Sequence, residues 1–215
     1  MEIAPPTARI WTLEGLRSRR SEFAAVTPLP ERQETPLYIL FTSGSTGDSK
    51  GLVQTEPNAL AHAANYVDAV GIRPGDRCLL TASSAFDAFV LDVYGSLIAG
   101  ATLCMYNVRQ SDARGLLRQI VEEEVATVHF TPSVFRWLLD GTDENLPSTL
   151  SRVVLGGEPV RPLDAKTFHE RSTGHCELVN LYGLTECSLV ALARVPSTAA
   201  GEVGGVAIGT PVPRV

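Results

Sequence analysis

The sequence predicts an α/β protein with a doubly wound, mostly parallel sheet that carries helices on both faces. From Pro36 onward, short apolar runs rich in β-branched residues alternate with amphipathic stretches of helical length. The runs are apolar throughout, which is typical of strands buried on both faces. With 215 residues, 44% of them hydrophobic and 20% charged, the chain is long and apolar enough to build a sizeable core.

The individual elements follow from this alternation. Six runs predict strands: Leu37–Phe41, Cys78–Thr81, Ala101–Tyr106, Ala126–Phe130, Arg152–Leu155 and Glu177–Leu181. Five stretches between them predict helices: 55–71, 86–100, 111–124, 132–141 and 161–171. The first helix has Thr55 as its N-cap, Pro57 in its first turn and Gly71 after its end. Residues 1–35 carry several prolines and charges and predict a lead-in segment, with a short helix at Leu13–Phe23, rather than a domain.

Charge and composition exclude several classes of protein. A net charge of −6 and a pI near 5.2 argue against binding to nucleic acid. No apolar run approaches the length of a membrane span, and the first 23 residues lack the apolar centre of a signal peptide. The cysteines contain no CxxC pair, and the histidines show no metal-binding spacing. We therefore expect a cytoplasmic, reduced protein with no nucleic-acid or membrane partner.

Three polar segments that contain glycine follow predicted strands. They are the stretch Thr42–Gly51, the "LGGE" of Leu155–Glu158 and the "NLYGLTE" of Asn180–Glu186. Ligands of doubly wound sheets bind beyond the carboxyl ends of the strands. The sequence therefore predicts that all three segments converge on one edge of the sheet.

The first of these segments, "FTSGSTGDSKG", suits a polyphosphate. Its glycines let the backbone approach a ligand, and its hydroxyl groups, backbone N–H groups and lysine can bind phosphate oxygens. The predicted ligand residues are Thr42, Ser43, Gly44, Ser45, Thr46, Gly47 and Lys50. A solvated linker is the alternative interpretation. A Walker P-loop is excluded, because Ser49 precedes Lys50 where the motif has glycine, and Gly51 replaces the metal-binding hydroxyl.

Several motifs together resemble the adenylate-forming enzymes, and most closely the amino-acid adenylation domains of non-ribosomal peptide synthetases. The Thr42–Gly51 segment resembles their phosphate-binding signature, with Ser49 in place of the usual proline. The segments "SSAFDAFVLDVYGSLIAGATL", "VVLGGEPV", "LVNLYGLTE" and "IGTPVPRV" resemble later motifs of the family, in the family's order. The resemblance covers residues 37–215 and implies a ligase whose cofactors are ATP and Mg²⁺.

The resemblance implies a role for each nucleotide-site residue. Tyr182 would stack on adenine, although core aromatics are commoner at strand ends. Thr185 would bind the α-phosphate and Glu186 would coordinate Mg²⁺, although such a pair can also cap the next segment. Asn180 would bind the adenine amino group. The residues that would line the base are Gly156, Gly157 and Glu158, and the catalytic set would be Thr185, Glu186 and Lys50.

Asp87 indicates the substrate class. A lone carboxylate near a helix start needs no functional explanation. In the resembled domains, however, this aspartate binds the α-ammonium group of an amino acid. The implied side-chain pocket consists of Ala88, Leu91, Phe130, Val153, Leu155, Leu181, Leu189 and Val190. None of these is charged, so the pocket predicts an apolar amino acid that is not large.

The implied reaction is attack of a carboxylate on the α-phosphorus of ATP, which forms an acyl-adenylate and releases pyrophosphate. Transfer to a phosphopantetheine thiol on a carrier protein would follow. Residues 36–215 would be part of an adenylation domain without its C-terminal subdomain. We therefore expect the chain alone to be inactive, with a separate C-terminal subdomain as a further partner. The alternatives are a non-catalytic nucleotide-binding or interaction protein of this fold and a ligase for an acyl or aryl acid.

Overall fold

The computed structural model describes residues 36–43, 49–172, 174–197 and 205–213. The expected lead-in segment and its helix at Leu13–Phe23 lie outside the described residues. The strands are β1 (Pro36–Ser43), β2 (Ser49–Thr55), β3 (Arg77–Leu80), β4 (Thr102–Met105), β5 (Thr127–Phe130), β6 (Arg152–Gly156), β7 (Glu177–Leu184), β8 (Ser188–Arg194) and β9 (Thr210–Pro211). The α-helices are α1 (Glu56–Val70), α2 (Asp87–Ala99), α3 (Ala113–Glu122), α4 (Pro132–Asp140) and α5 (Pro162–Arg171).

The main sheet has the strand order β4-β3-β5-β6-β7-β8-β9. Its first five strands are parallel to their neighbours, and β8 and β9 join antiparallel. Five of the six predicted strands therefore form the expected mostly parallel sheet. Helices lie on both of its faces, because one buried cluster draws on α1 and α2 and another on α3, α4 and α5. The predicted fold class is confirmed.

The first predicted strand is not part of this sheet. Instead β1 pairs antiparallel with β2, and this hairpin forms a separate two-stranded sheet. The prediction that the Thr42–Gly51 segment follows a strand of the parallel sheet is therefore wrong. The sequence analysis does not predict strand β2, because "SKGLVQT" has few apolar residues. Its partner is β1, the strand that precedes it in the chain.

The helices begin and end close to the predicted residues because local signals set them. Thr55 adopts extended backbone before α1, Pro57 lies in the first turn, and Gly71 ends the helix in the left-handed conformation at φ 80°. At α3, the Asp112 side chain accepts a hydrogen bond from the Gly115 N–H at 2.6 Å. At α4, Thr131 accepts one from the Val134 N–H.

Two buried clusters hold the helices against the sheet. The α3–α5 cluster includes Leu116, Leu138 and Phe168, and it packs against Val153 and Leu155 of the sheet. The α1–α2 cluster includes Tyr66, Leu91 and Leu181 together with further residues of the sheet. The thiols predicted to be buried, those of Cys78, Cys104 and Cys176, are buried and free, and Cys187 is half-buried and free. Among the described helices, none is both long and apolar enough to cross a membrane.

Candidate active site

Two of the three polar segments meet at the carboxyl edge of the parallel sheet. Strands β6 and β7 are parallel neighbours, and Gly156 lies opposite Leu181 in their register. The "GGE" turn that starts at Gly156 and the "YGLTE" segment that starts at Tyr182 therefore leave the sheet side by side. This part of the predicted convergence is present in the structure.

A tight turn between β7 and β8 presents Thr185 and Glu186. The strands remain paired up to Leu184 and Ser188, so that Thr185, Glu186 and Cys187 form the turn itself. Gly183 makes this close approach possible, because a Cβ atom at this position would lie 2.1 Å from the Ser188 carbonyl oxygen. The Glu186 side chain is exposed. The turn thus offers a hydroxyl group and a carboxylate to a ligand.

The β1–β2 hairpin reaches this turn through Gln54. The Gln54 Nε2 atom donates to the carbonyl oxygens of Thr185 and Glu186, both at 3.4 Å, and the residue is almost fully buried. In the hairpin Thr42 pairs directly with Lys50, so their side chains share one face. No pattern in the sequence indicates a role for Gln54, because its partners are backbone atoms far along the chain.

The hairpin and the turn enclose a cleft of about 320 Å³. Its lining residues are Phe41, Thr42, Ala85, Phe86, Asp87 and Thr185. The structure therefore brings together a predicted phosphate ligand of the hairpin, the predicted α-phosphate ligand of the turn and the predicted ammonium ligand of α2. A larger depression of about 540 Å³ lies along α4, and the residues that line it include no predicted site residue.

The structure describes the two ends of the predicted phosphate-binding segment. Residues Gly44, Ser45, Thr46 and Gly47 lie outside the described residues, and only the backbone of Ser43 is described. Their predicted contacts with phosphate remain predictions. Thr42 and Lys50, on either side of them, are described and face each other across the hairpin.

Asn180 and Tyr182 lie on the α3–α5 side of β7. Asn180 pairs with Leu155, a member of the α3–α5 cluster, and Tyr182 follows two residues later. The Asn180 Nδ2 atom donates to the Ala207 carbonyl oxygen at 2.8 Å, which leaves its Oδ1 atom as the acceptor for a ligand. Tyr182 is 40% exposed at the strand end. Its ring is therefore available for stacking and is not a core aromatic.

Glu158 is bound within the protein. Its Oε2 atom accepts hydrogen bonds from the Ser133 hydroxyl at 2.5 Å and the Ser133 N–H at 3.1 Å, and it pairs with Arg136 at 3.4 Å. These contacts fasten the "GGE" turn to the first turn of α4. The Glu158 carboxylate can therefore hold the "GGE" turn in place. Gly156 and Gly157 contribute only backbone atoms to that turn.

The predicted side-chain pocket is divided between the two faces of the sheet. Leu91, Leu181 and Leu189 belong to the α1–α2 cluster on the Asp87 side. Phe130, Val153 and Leu155 belong to the α3–α5 cluster, so the expectation that they share a pocket with Leu91 is wrong. Successive side chains of a strand point to opposite faces. Their strand neighbours His129, Val154 and Gly156 face the α1–α2 side instead. The remaining two predicted residues, Ala88 and Val190, are half-buried.

A buried polar network lies on this same side and was missed in the sequence. The Asp92 Oδ1 atom accepts hydrogen bonds from the Tyr66 hydroxyl at 3.1 Å and from His129 Nδ1 at 2.9 Å. Burial lowers the pKa of His129, but the charge and hydrogen bond of Asp92, with a smaller effect of Asp87, give it a net upward shift. Burial, followed by the charge of Asp92, raises the pKa of Tyr66 well above its usual value.

The donor set fits a magnesium ion that is held chiefly by a nucleotide. Among the described residues, no cluster of three or more His, Cys, Asp or Glu side chains could hold a metal. Mg²⁺ commonly takes one or two carboxylates together with substrate phosphates and water. The exposed Glu186 carboxylate beside the Thr185-lined cleft meets this requirement.

Fold and cleft together define an α/β protein whose ligand site lies at the carboxyl edge of its parallel strands. The model of the AMP-binding enzyme family matches residues 5–215. The chain belongs to the AMP-binding enzyme family.

Similar proteins and solved structures support membership of this family. Malformin synthetase mlfA of Aspergillus niger is 34% identical over 210 residues, which are 97% of this chain and 4% of that protein. The Klebsiella oxytoca NpsA N-terminal subdomain in complex with 3-hydroxybenzoyl-AMSN is 28% identical with a TM-score of 0.71, over 83% of this chain and 45% of that one. The Vibrio cholerae adenylation domain AlmE in complex with glycyl-adenosine-5'-phosphate is 25% identical with a TM-score of 0.70, over 82% and 33%. The chain thus spans a small part of the synthetase and less than half of each structural relative.

Proposed function

We propose that this chain binds ATP and a carboxylic acid and supports formation of an acyl-adenylate. A carboxylate oxygen attacks the α-phosphorus, the bond from that phosphorus to the bridging oxygen breaks, and pyrophosphate leaves. No protein nucleophile takes part. The observation that carries this proposal is the shared cleft of Thr42, Asp87 and Thr185. In that cleft an acid bound beside Asp87 has its carboxylate next to the predicted phosphate ligands.

The roles proposed for the nucleotide-site residues are those that the family resemblance implies. Thr185 binds the α-phosphate, and Lys50, across the hairpin from Thr42, binds the β- and γ-phosphates. Tyr182 stacks on adenine, and Asn180 accepts a hydrogen bond from the adenine amino group through Oδ1. When Mg²⁺ is bound at Glu186, it neutralises charge on the phosphate oxygens. Catalysis then rests on positioning and on electrostatic stabilisation of the developing charge.

We propose an α-amino acid as the acid. The Asp87 carboxylate lies in the first turn of α2 and lines the cleft, where it can bind an α-ammonium group by a charge-assisted hydrogen bond. The AlmE relative is described with glycyl-adenosine-5'-phosphate and the NpsA relative with an aryl analogue, so relatives of both kinds exist. The Asp87 carboxylate favours the first kind. The buried leucines on the Asp87 side, Leu91, Leu181 and Leu189, support the uncharged, apolar side chain that the sequence predicts.

The second step proposed is transfer of the acyl group to a phosphopantetheine thiol of a carrier protein. This proposal follows from the resemblance to non-ribosomal peptide synthetase domains and from the family of the chain. The cytoplasm is the compartment in which ATP and such carriers are available, and we propose it as the location.

Calorimetry with stable adenylate analogues tests the amino-acid proposal. A panel of aminoacyl-sulfamoyl adenosines is compared with the matching analogues that lack the amine. The chain should bind the amine-containing member of a pair about tenfold or more tightly, because a charge-assisted hydrogen bond contributes about 1.5–3 kcal/mol. Asp87→Asn should remove most of this preference. Asp140→Asn, an exposed aspartate at the end of α4, is the matched control and should leave it unchanged.

Two results would contradict parts of this proposal. Preference of the wild type for the amine-free analogues would exclude an amino acid and favour an acyl or aryl acid ligase. Binding of AMP without binding of any acyl analogue would favour a nucleotide-binding protein without ligase activity.

A further inference from the structure

The proposed positions of the ammonium and carboxylate groups fix the direction in which the side chain of a bound amino acid extends. On the proposed function, the ammonium group lies at Asp87 and the carboxylate lies toward Thr42 and Thr185. The third substituent of the tetrahedral Cα then extends along α2, where Leu91 follows Asp87 by one helical turn, about 6 Å along the axis. Asp92 is the next residue on that helix. The side chain is therefore directed toward Asp92 and the residues around it.

His129 lies beside Asp92, with its Nδ1 atom 2.9 Å from Asp92 Oδ1. It is the penultimate residue of β5, close to the carboxyl edge where ligands of such sheets bind. Its imidazole extends across Gly156, because a Cβ atom at Gly156 would lie 3.2 Å from His129 Nε2 and 3.2 Å from the Leu181 side chain. Because glycine has no side chain, the His129 ring can occupy this space. Its Nε2 atom lies on the same side of the sheet as Leu91 and Leu181.

Among the described residues, the hydrogen bonding of the Tyr66–Asp92–His129 network is incomplete, unlike that expected of a purely structural buried network. Asp92 is 4% exposed and His129 is 7% exposed. The Tyr66 hydroxyl and His129 Nδ1 both meet Asp92 Oδ1, while the buried Asp92 Oδ2 atom has no hydrogen-bond partner in the described part of the chain. An unpartnered buried polar atom costs about 1–3 kcal/mol. Apolar side chains at these positions would avoid that cost, so packing alone does not account for the network.

We propose that His129 and Asp92 form a polar subsite that recognises a neutral hydrogen-bonding group, a hydroxyl or a carboxamide, on the substrate side chain. Because Nδ1 donates to Asp92, Nε2 is the ring nitrogen left for the ligand, and in the ion-paired state its N–H donates to the oxygen of a hydroxyl or carboxamide. A charged side chain is excluded, because the Asp92–His129 ion pair is neutral overall and would leave a further buried charge uncompensated. This inference rests on the proposed function, and it replaces the apolar side chain expected from the sequence with a short, neutral, polar one.

Isosteric analogue pairs test the inference with the unmodified chain. Calorimetry compares threonyl- with valyl-sulfamoyl adenosine and asparaginyl- with leucyl-sulfamoyl adenosine, since each pair matches in shape and differs in polarity. The polar member of at least one pair should bind about tenfold or more tightly, because the apolar member leaves the buried polar atoms without partners. Equal or tighter binding of the apolar member in both pairs would overturn the inference while leaving adenylate binding intact. Failure of all four analogues and of AMP to bind would overturn the proposed function as well.

Variants then assign the preference to the network. His129→Leu should abolish the preference for the polar analogue without changing AMP binding. His169→Leu makes the same substitution on α5, against the other face of the sheet, and should leave the preference unchanged. If His129→Leu does not fold, Asp92→Asn keeps an acceptor for Tyr66 and should still reduce the preference. A polar preference that survives both substitutions would overturn the assignment to His129 and Asp92.

Discussion

Two buried aspartates on opposite faces of the sheet differ in how their oxygens are used. Asp164, at the start of α5, is 3% exposed, and both of its oxygens accept from Arg136 Nη1, at 3.2 and 2.9 Å. Its Oδ2 atom also accepts from the Arg161 N–H at 2.9 Å. Asp92, on α2, is buried to the same degree, yet among the described residues only its Oδ1 atom has hydrogen-bond partners.

This difference separates a structural carboxylate from a candidate binding carboxylate. The fully bonded Asp164 links α5 to α4 through Arg136. Removing one partner of this pair would leave the other as an uncompensated buried charge. A half-bonded group contributes less to the fold and keeps hydrogen-bonding capacity for a ligand. On the proposed function, the α3–α5 face serves structure and adenine binding, and the α1–α2 face serves recognition of the acid.

The largest expected effect concerns the stability of the Asp164 side. Asp164→Ala should lower the free energy of unfolding by about 2–3 kcal/mol, below the usual range for a buried pair because Arg136 is 29% exposed. Asp92→Asn should cost only about 1 kcal/mol, since asparagine keeps an acceptor for Tyr66 and His129. Urea unfolding at neutral pH measures both, with the exposed Asp140→Ala as control. A loss for Asp92→Asn as large as for Asp164→Ala would show that the two aspartates are equally structural.

The next prediction separates adenine binding from acid binding. Tyr182→Ala should weaken AMP binding about tenfold, because base–aromatic stacking contributes about 1–3 kcal/mol. The ratio of threonyl- to valyl-analogue affinities should not change, since that discrimination lies on the other face. Trp137→Ala, an exposed aromatic of α4 away from the cleft, is the control. Unchanged AMP affinity would remove Tyr182 from the site, and an altered ratio would show that the two faces are coupled.

The sequence predicted what depends on local signals. Caps, prolines and terminal glycines set the helices, as at Thr55 and Gly71, and unbroken apolar runs marked the five parallel strands. The hairpin was missed because the partner of β1 is a strand with few apolar residues, β2. Pairing of that kind depends on contacts that a local pattern does not encode.

The predicted side-chain pocket mixes residues from both faces of the sheet for a related reason. A strand that is apolar throughout has no alternation to show which residues point to which face. The resemblance implies a pocket that joins Phe130, Val153 and Leu155 to Leu91, and the apolar strands carry no pattern that corrects it, although these three residues point away from Leu91. One signal was present, because His129 is the one titratable residue of "TVHF" and marks the face that buries polar groups. Its partners on two distant helices were not visible in the sequence.

A smaller effect is expected from the titration of His129. Its pKa in the folded chain is raised above 6.5, so the protonated pair with Asp92 stabilises the fold fully below pH 6.5. That contribution is lost as the pH rises through the folded-state pKa. The stability difference between wild type and His129→Gln should therefore be largest in mild acid and shrink at higher pH, as followed by urea unfolding. The same comparison in an Asp92→Asn background should depend less on pH, and an identical dependence would exclude Asp92 as the cause.

The smallest effect is expected at Glu158, where it distinguishes positioning from direct contact with the base. The carboxylate bonds Ser133 and Arg136 and is partly exposed, so Glu158→Gln should weaken AMP binding only about two- to fourfold, in line with the 0.2–1 kcal/mol of exposed ion pairs.

A double-mutant cycle with Arg136→Ala gives the readout that a contact with adenine would not reproduce. If Glu158 acts by holding the "GGE" turn against α4, its substitution should have a smaller effect once Arg136 is absent, because the two residues share one interaction. Additive effects on AMP affinity would instead mean that Glu158 meets the nucleotide independently. Lys166→Ala, whose exposed ion pair with Glu170 lies on α5, supplies a background in which the Glu158 effect should be unchanged. Coupling to Arg136 without coupling to Lys166 would show that the α3–α5 face positions the adenine turn through the bonded carboxylate of Glu158.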